Sequence, residues 1–188
     1  MHNILNINPD AFSSGQISSK LWLCKELENL KISEPAIVWV YGGWYGIASF
    51  LLLSREKFPI KYIRSFDIDT TCESVADSLL ENWLWQSWKF KAVTADCNNL
   101  EFYNEKPDLI INCSTEHFES NKWFQDIPAG TLCALQSNNM AHEDHCACFN
   151  NCEEFSKFYD LNIIYEGTMD FAYPGWEFSR FMIIGTKK

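Results

Sequence analysis

The run AIVWVY, residues 36 to 41, constrains this chain more than any other stretch. It is a continuous, β-branched and aromatic run of strand length with no polar face, as expected for a parallel strand buried on both sides. A parallel strand needs a crossover to reach its neighbour, and the chain supplies one at once. Gly42, Gly43 and Gly46 break the run, and IASFLLL follows as an apolar helix able to cover the strand just left.

The same unit recurs downstream. KYIRSFDID reads as a second strand, and Thr70 with Glu73 reads as a capping box. The helix that it opens, VADSLLENWLWQSW, carries Val75, Leu79, Trp83 and Leu84 on one face. KFKAVTAD is a short third strand. DLIINCS, 108 to 114, is a fourth, followed by a polar helical piece through Trp123 and the turn IPAG. TLCALQS is a fifth strand and CEEFSKFYD a helix. NIIYEGTMDF and FSRFMIIGT leave no room for a helix between them and so predict an antiparallel hairpin. Upstream, SSKLWLCKELENL has helical spacing at Leu21, Leu23, Cys24, Leu27 and Leu30, with Ser18 or Ser19 as cap and Pro35 as stop.

The expected architecture is α/β: a Rossmann-like, doubly wound, mostly parallel sheet with a C-terminal antiparallel hairpin strand. It spans residues 1 to 188 as one domain, with residues 1 to 35 as a helical lead-in. Ligands of such sheets bind outside the carboxyl ends of the strands. Those ends carry Gly42 to Gly46, Asp67 and Asp69, Asp96, Asn112 to His117, and Gln136 to Asn139. Asp69 fits a helix cap as well as a ligand contact.

Composition narrows the partners. Net charge is −10, from 15 basic against 25 acidic residues, and only Lys122, Lys157 and Arg180 are basic between 107 and 186. That argues against an extensive duplex nucleic-acid interface and leaves a small molecule, a nucleotide or a protein side chain as acceptor. No apolar run reaches membrane-spanning length, and MHNILNINPD lacks the marks of a signal peptide, so a cytoplasmic protein with no membrane partner is expected. The eight cysteines accordingly read as reduced thiols. Most of the aromatics read as core packing, Phe171, Tyr173 and Trp176 included, though these three also suit a pocket wall.

In a dinucleotide site the middle glycine of G-x-G-x-x-G lets the backbone meet a pyrophosphate. Here Trp44 stands between Gly42 and Gly46, which disfavours NAD and suits a cofactor without phosphates such as S-adenosylmethionine. With VWVYGGWYG, SFDID, TADCNNL, PDLIINCSTEHF and IPAGTLCAL in that order, ahead of the terminal hairpin, the chain resembles the class I S-adenosylmethionine-dependent methyltransferases. GGWYG with INCSTEH also resembles small methyltransferase-like proteins of bacteriophages. The resemblance implies S-adenosylmethionine as cofactor, held by Tyr41, Gly42, Gly43, Trp44 and Gly46, by Asp67 and Ile68, and by Asp96 and Asn112. Asp67 would take the ribose hydroxyls and Asp96 the adenine amino group. Val40 stands where the family often has an acid, so another group must meet the methionine ammonium.

The chemistry is expected just past the fourth strand, at Asn112, Glu116 and His117. His117 is of the right type to deprotonate a hydroxyl or thiol, and Glu116 to orient it; both also suit a solvated helix start. NCST lacks the prolines and aromatic of enzymes that methylate DNA-base amino groups. Ser114, Gln136, Asn138, Asn139 and His142 are the expected substrate contacts. HEDHCACFNNC gathers zinc-type ligands in His142, His145, Cys146, Cys148 and Cys152, but in no paired zinc spacing. No metal site is therefore expected, and residues 137 to 152 read as a substrate lid. The reading is a methyltransferase for a small or compact acceptor. The alternatives are transfer of another group from the same cofactor, or a non-catalytic cofactor-fold partner protein.

Overall fold

The computed structural model describes residues 7–85 and 87–188. Residues 1–6 of the expected lead-in and Gln86 of the expected second helix lie outside the described residues. The elements are α1 (Ser14–Asn29), β1 (Ala36–Tyr41), α2 (Ile47–Arg55), β2 (Ile60–Asp67), α3 (Thr70–Leu79), α4 (Glu81–Trp85), β3 (Phe90–Thr94), β4 (Leu109–Asn112), α5 (Lys122–Gln125), β5 (Leu132–Asn138), α6 (Cys152–Phe158), β6 (Leu161–Tyr173) and β7 (Trp176–Lys187). They build a 7-stranded sheet in the order β3-β2-β1-β4-β5-β7-β6. β1 to β5 are parallel, and β7 runs antiparallel between β5 and β6. This is the doubly wound sheet with a reversed terminal hairpin that the alternation of the sequence predicts.

β1 shows why an unbroken apolar run was needed. Val38 and Val40 pack on one face of the sheet with Leu23, Leu27 and Leu52 of α1 and α2. Trp39 and Tyr41 pack on the other face with Trp123 of α5 and Phe155 of α6. Each such buried side chain contributes about 1.5–3 kcal/mol relative to exposure, so a polar residue anywhere in β1 would weaken one layer or the other.

The helix boundaries differ from the sequence expectation in three places. α1 begins earlier, capped by Ser13, whose Oγ accepts from Gln16 N at 3.4 Å. Ser19 is instead buried within the helix, with its Oγ donating to the Gln16 carbonyl. The capping box at Thr70 and Glu73 does not form, because Asp69 is the cap, accepting from Thr71 N at 2.8 Å. Glu73 reaches across to β3, accepting from Lys91 Nζ at 2.8 Å and Thr94 N at 2.9 Å. The long second helix breaks at Leu80, which leaves helical geometry (φ −107) as it enters the core, so Trp83 and Leu84 belong to the separate α4. Past β4 the polar piece is a 3-10 turn, Thr115–His117, and then the single turn of α5. Among the described residues no helix is long and apolar enough to cross a membrane.

Candidate functional site

A cavity of about 980 Å³ opens at the carboxyl ends of β1, β2 and β4. Gly42, Gly43 and Trp44 form one wall. Gly42 has φ +59, and a Cβ there would stand 2.6 Å from Ser114 Oγ, so both conformation and space call for glycine. Gly43 lies against β2: its N–H donates to the Phe66 carbonyl at 2.9 Å, and a Cβ would stand 1.9 Å from Ser65 Oγ. Trp44 is left-handed at φ 48, which costs a non-glycine residue energy, and its ring stacks on Tyr45 at 4.9 Å. Gly46 stands behind the wall, opening α2.

Asp67 anchors this loop. Its Oδ2 accepts from Trp44 N at 2.8 Å and its Oδ1 from Asp69 N at 3.0 Å, while the carboxylate still faces the cavity. Next to it Ile68 is 72% exposed, an apolar face turned to the same space. Asp96 also lines the cavity, but its side chain caps the 3-10 turn Cys97–Asn99, accepting from Asn98 N at 2.9 Å and from Asn99 Nδ2 at 2.8 Å.

The opposite side of the cavity is charged and buried. Lys20 from α1, Arg180 from β7 and Glu116 meet there, each less than a tenth exposed. Arg180 Nη1 donates to the Cys113 carbonyl at 2.8 Å, and its Nη2 stands 3.5 Å from Glu116 Oε1. The same Oε1 accepts from Asn138 Nδ2 at 2.5 Å, and Asn138 pairs with Arg180 across the β5–β7 ladder. Lys20 donates to Gln16 Oε1. Burial above all lowers the Lys20 ammonium to about 8 from its ordinary 10.5, with Arg180 also lowering it and Cys113, Glu116 and Asp10 opposing.

The sign of the linkage follows from that shift. The unfolded chain keeps the Lys20 proton up to about pH 10.5, whereas the native chain releases it from about pH 8. Folding therefore carries a penalty below pH 8 that fades as pH rises through this window. Lys20→Met should raise the melting temperature at pH 7 and lose most of that advantage by pH 10.5. Melting curves of both proteins across this range check it, and a constant difference would show that the proton is not involved.

The segment between β5 and α6 borders the cavity through Met140, His142, Asp144 and His145. It is fastened to the 3-10 turn after β4, since Cys146 N and Ala147 N donate to the Glu116 carbonyl at 2.8 and 3.1 Å. His117 Nδ1 lies 3.0 Å from the Asp144 carbonyl and His145 Nδ1 lies 2.8 Å from that of Met140.

The structure thus brings Gly42, Gly43, Trp44, Asp67, Ile68 and Asp96 to one cavity with Ser114, Glu116, His117 and His142. Others of the expected contacts stand behind its wall. Tyr41 is fully buried against Phe66 and Trp123. Asn112 is fully buried too, its Oδ1 accepting from Ser114 N at 2.9 Å to turn the chain out of β4. Gln136 and Asn138 lie inside β5 rather than beyond it: Gln136 Nε2 donates to the Ser19 carbonyl at 2.9 Å, and Asn138 holds Glu116. Asn139 Oδ1 accepts from Ser179 N at 2.8 Å. Phe171, Tyr173 and Trp176 stack within the hairpin, on Phe178 or on each other, and not on the cavity.

Among the wall residues, Lys20 and Arg180 were not placed at the site by the sequence reading, and His145 was named only among the zinc-type ligands. Lys20 sits on the stripe of Leu23, Cys24 and Leu27, and Arg180 interrupts an apolar strand in phase with Met182 and Ile184. A charge on a buried face was the available signal. The cysteines are all free, and burial pushes the thiols of Cys24, Cys97 and Cys133 up to about 12, which makes them poor nucleophiles.

No protein-family model matches the sequence, and no curated protein does. Solved structures match in shape. The magnesium protoporphyrin IX methyltransferase of Synechocystis PCC 6803, with bound S-adenosylhomocysteine, has a TM-score of 0.68 at 12% identity over 91% of this chain and 84% of that one. N-methyltransferase NodS of Bradyrhizobium japonicum WM9 has 0.64 at 12% identity, over 95% and 99%. The YcgJ protein of Bacillus subtilis has 0.69 at 12% identity, over 91% and 98%. At this identity the likeness is one of fold, and the chain has the Rossmann-like fold of the S-adenosylmethionine-dependent methyltransferases, with its 7-stranded sheet and reversed β7.

Proposed function

We propose that the cavity binds S-adenosylmethionine and that the protein, acting as one catalytic domain, transfers its methyl group to a small or compact acceptor. The observation that carries this reading is the placement of Asp67. It ends β2, braces the glycine loop and still faces the cavity beside the exposed apolar Ile68. Each Asp67 oxygen accepts one backbone N–H and keeps acceptor capacity for a ribose hydroxyl, and Ile68 offers a flat apolar face to an adenine ring. The residues across the cavity fit the other end of the molecule. Lys20 and Arg180 against Glu116 leave one buried positive charge in excess below pH 8, which an α-carboxylate balances. Asp10, on the cavity wall, supplies the acid that is absent at Val40.

Trp44 favours a cofactor without phosphates, because it stands at the middle-glycine place of the loop, on the cavity wall, where a pyrophosphate needs close backbone approach. Bound there, the cofactor supplies a methyl group activated on a sulfonium, and the protein's task is to align the acceptor with it. Ser114 and His142 offer the acceptor polar contacts, and the segment between Asn138 and Cys152 acts as its lid. The free thiols accord with a reducing, cytoplasmic setting.

A thermal-shift series tests the reading. S-adenosylmethionine and S-adenosylhomocysteine should raise the melting temperature, and NAD should not, because only a ligand of the native state stabilises it. Calorimetry finding no binding of either adenosyl compound would overturn the enzyme reading in favour of a non-catalytic partner protein.

A further inference from the structure

We propose that Glu116, His117 and His145 form a binding site for a first-row transition-metal dication at the acceptor end of the cavity. One ligating atom from each lies within 4.8 Å of the others. Three further observations, independent of that proximity, point to a cation.

The first is an oxygen. Glu116 is 2% exposed, and its Oε1 is taken by Asn138 and Arg180, but its buried Oε2 has no hydrogen-bond partner. Buried polar atoms are nearly always partnered, and leaving a charged one bare is costly. Asn138 and Arg180 thus fix the carboxylate from one side and leave its other oxygen for a cation.

The second is the state of the two histidines. Each presents Nδ1 to a backbone carbonyl, His117 to that of Asp144 at 3.0 Å and His145 to that of Met140 at 2.8 Å. A carbonyl can only accept, so each neutral ring carries its proton on Nδ1 and a lone pair on Nε2. This is the outer-shell arrangement that orients imidazoles as metal ligands. The third is rigidity: the loop that brings His145 is already held to Glu116 through the amides of Cys146 and Ala147, so the ligands need no gathering.

Two imidazoles and one carboxylate suit zinc, iron, cobalt or nickel better than magnesium or calcium, and three protein ligands leave coordination positions open. Of the cysteines near these histidines in sequence, Cys146 Sγ faces the Asp144 carbonyl at 3.9 Å, and Cys148 Sγ lies 3.3 Å from the Met140 carbonyl and 3.6 Å from His145 Nδ1, at the Nδ1 side of that ring. On the methyl-transfer reading, the open positions take an oxygen or sulfur donor of the acceptor. There the cation eases loss of the acceptor's proton to solvent. The acceptor's lone pair then forms the bond to the methyl carbon as the sulfonium carbon–sulfur bond breaks, giving the methylated product and S-adenosylhomocysteine.

The test is metal binding itself, without cofactor. Chelator-stripped protein is titrated with Co²⁺, followed by its visible absorption, and with Zn²⁺ and Mg²⁺ in competition with a chromophoric chelator. One Co²⁺ or Zn²⁺ per chain is expected, with Mg²⁺ far weaker. His117→Ala and His145→Ala should each weaken binding by more than about tenfold, a loss that outer-shell changes alone can cause. The Cys146→Ser/Cys148→Ser double variant should bind as the parent does. Because Glu116 is buried, Glu116→Gln is read only alongside circular dichroism; the histidine variants, on exposed and half-buried side chains, carry the test. Absence of stoichiometric binding, binding indifferent to both histidines, or binding lost with the cysteines would each overturn the site. Failure of adenosyl ligands to bind would leave the metal result standing and overturn only the methyl-transfer reading.

Discussion

Arg180→Met is expected to destabilise the protein by about 3–5 kcal/mol, the usual cost of stripping one partner from a buried ion pair. The guanidinium is 7% exposed and reaches both the Cys113 carbonyl and a Glu116 carboxylate that is itself 2% exposed. Methionine fills much of the volume but leaves that carboxylate with Asn138 as its remaining hydrogen-bond partner. Urea denaturation in the presence of a chelator measures the loss. Adding Glu116→Gln should restore only part of it: the carboxylate stripped of its guanidinium goes, but Lys20 then loses its own counter-charge. A loss under about 1 kcal/mol, or two losses that simply add, would show that Glu116 does not depend on Arg180 for its charge balance.

Asp67→Ala should weaken S-adenosylmethionine by about 1.5–3 kcal/mol, the range for hydrogen bonds to a charged group, and that is roughly ten- to more than a hundredfold. Removing the carboxylate also frees Trp44 N and Asp69 N, so the glycine loop loses its brace at the moment it must present a cavity wall. Asp67→Asn keeps one acceptor oxygen and should fall between parent and alanine variant. Titration calorimetry on the three proteins decides. Equal affinities would remove Asp67 from the ligand contacts and with it the observation on which the proposed function rests.

The centre of the sheet was legible in the sequence because β1 and β4 are buried on both faces and read as apolar runs. AIVWVY and β1 coincide at both ends. Caps were less legible, since Ser13, Ser18 and Ser19 are chemically alike and only the path of the incoming chain selects Ser13. Glu73 follows Thr70 at capping-box spacing, yet a lysine and a strand edge on β3 compete for it and win. Strand ends raised a different difficulty. A polar residue after an apolar run reads as lying beyond the sheet, but β5 continues to Asn138, so Gln136 faces α1 instead of the cavity. Asp67, Glu116 and His117 were found from their places after strands. Lys20 and Arg180 were passed over because a charge on an apolar stripe gives no hint of which neighbours will meet it. His145 was noticed beside His142 and Cys148, which it does contact; its approach to Glu116 and His117, which come from another loop, is set only by the tertiary structure.

The reversed strand also bears on how chains of this kind can diverge. Arg180 reaches the cavity only because it stands opposite Asn138 in the β5–β7 ladder, on the face that alternation gives to even-numbered residues. One residue inserted or deleted between Trp176 and Arg180 would turn the guanidinium to the opposite face and bring a neighbour in its place. At the hairpin tip, where Tyr173 pairs with Trp176 and a Cβ on Gly175 would meet nothing within 4 Å, the chain can grow or shrink at little cost. Length variation in this hairpin should therefore accumulate at its tip, while the short stretch from there to Arg180 changes residue by residue but not in number.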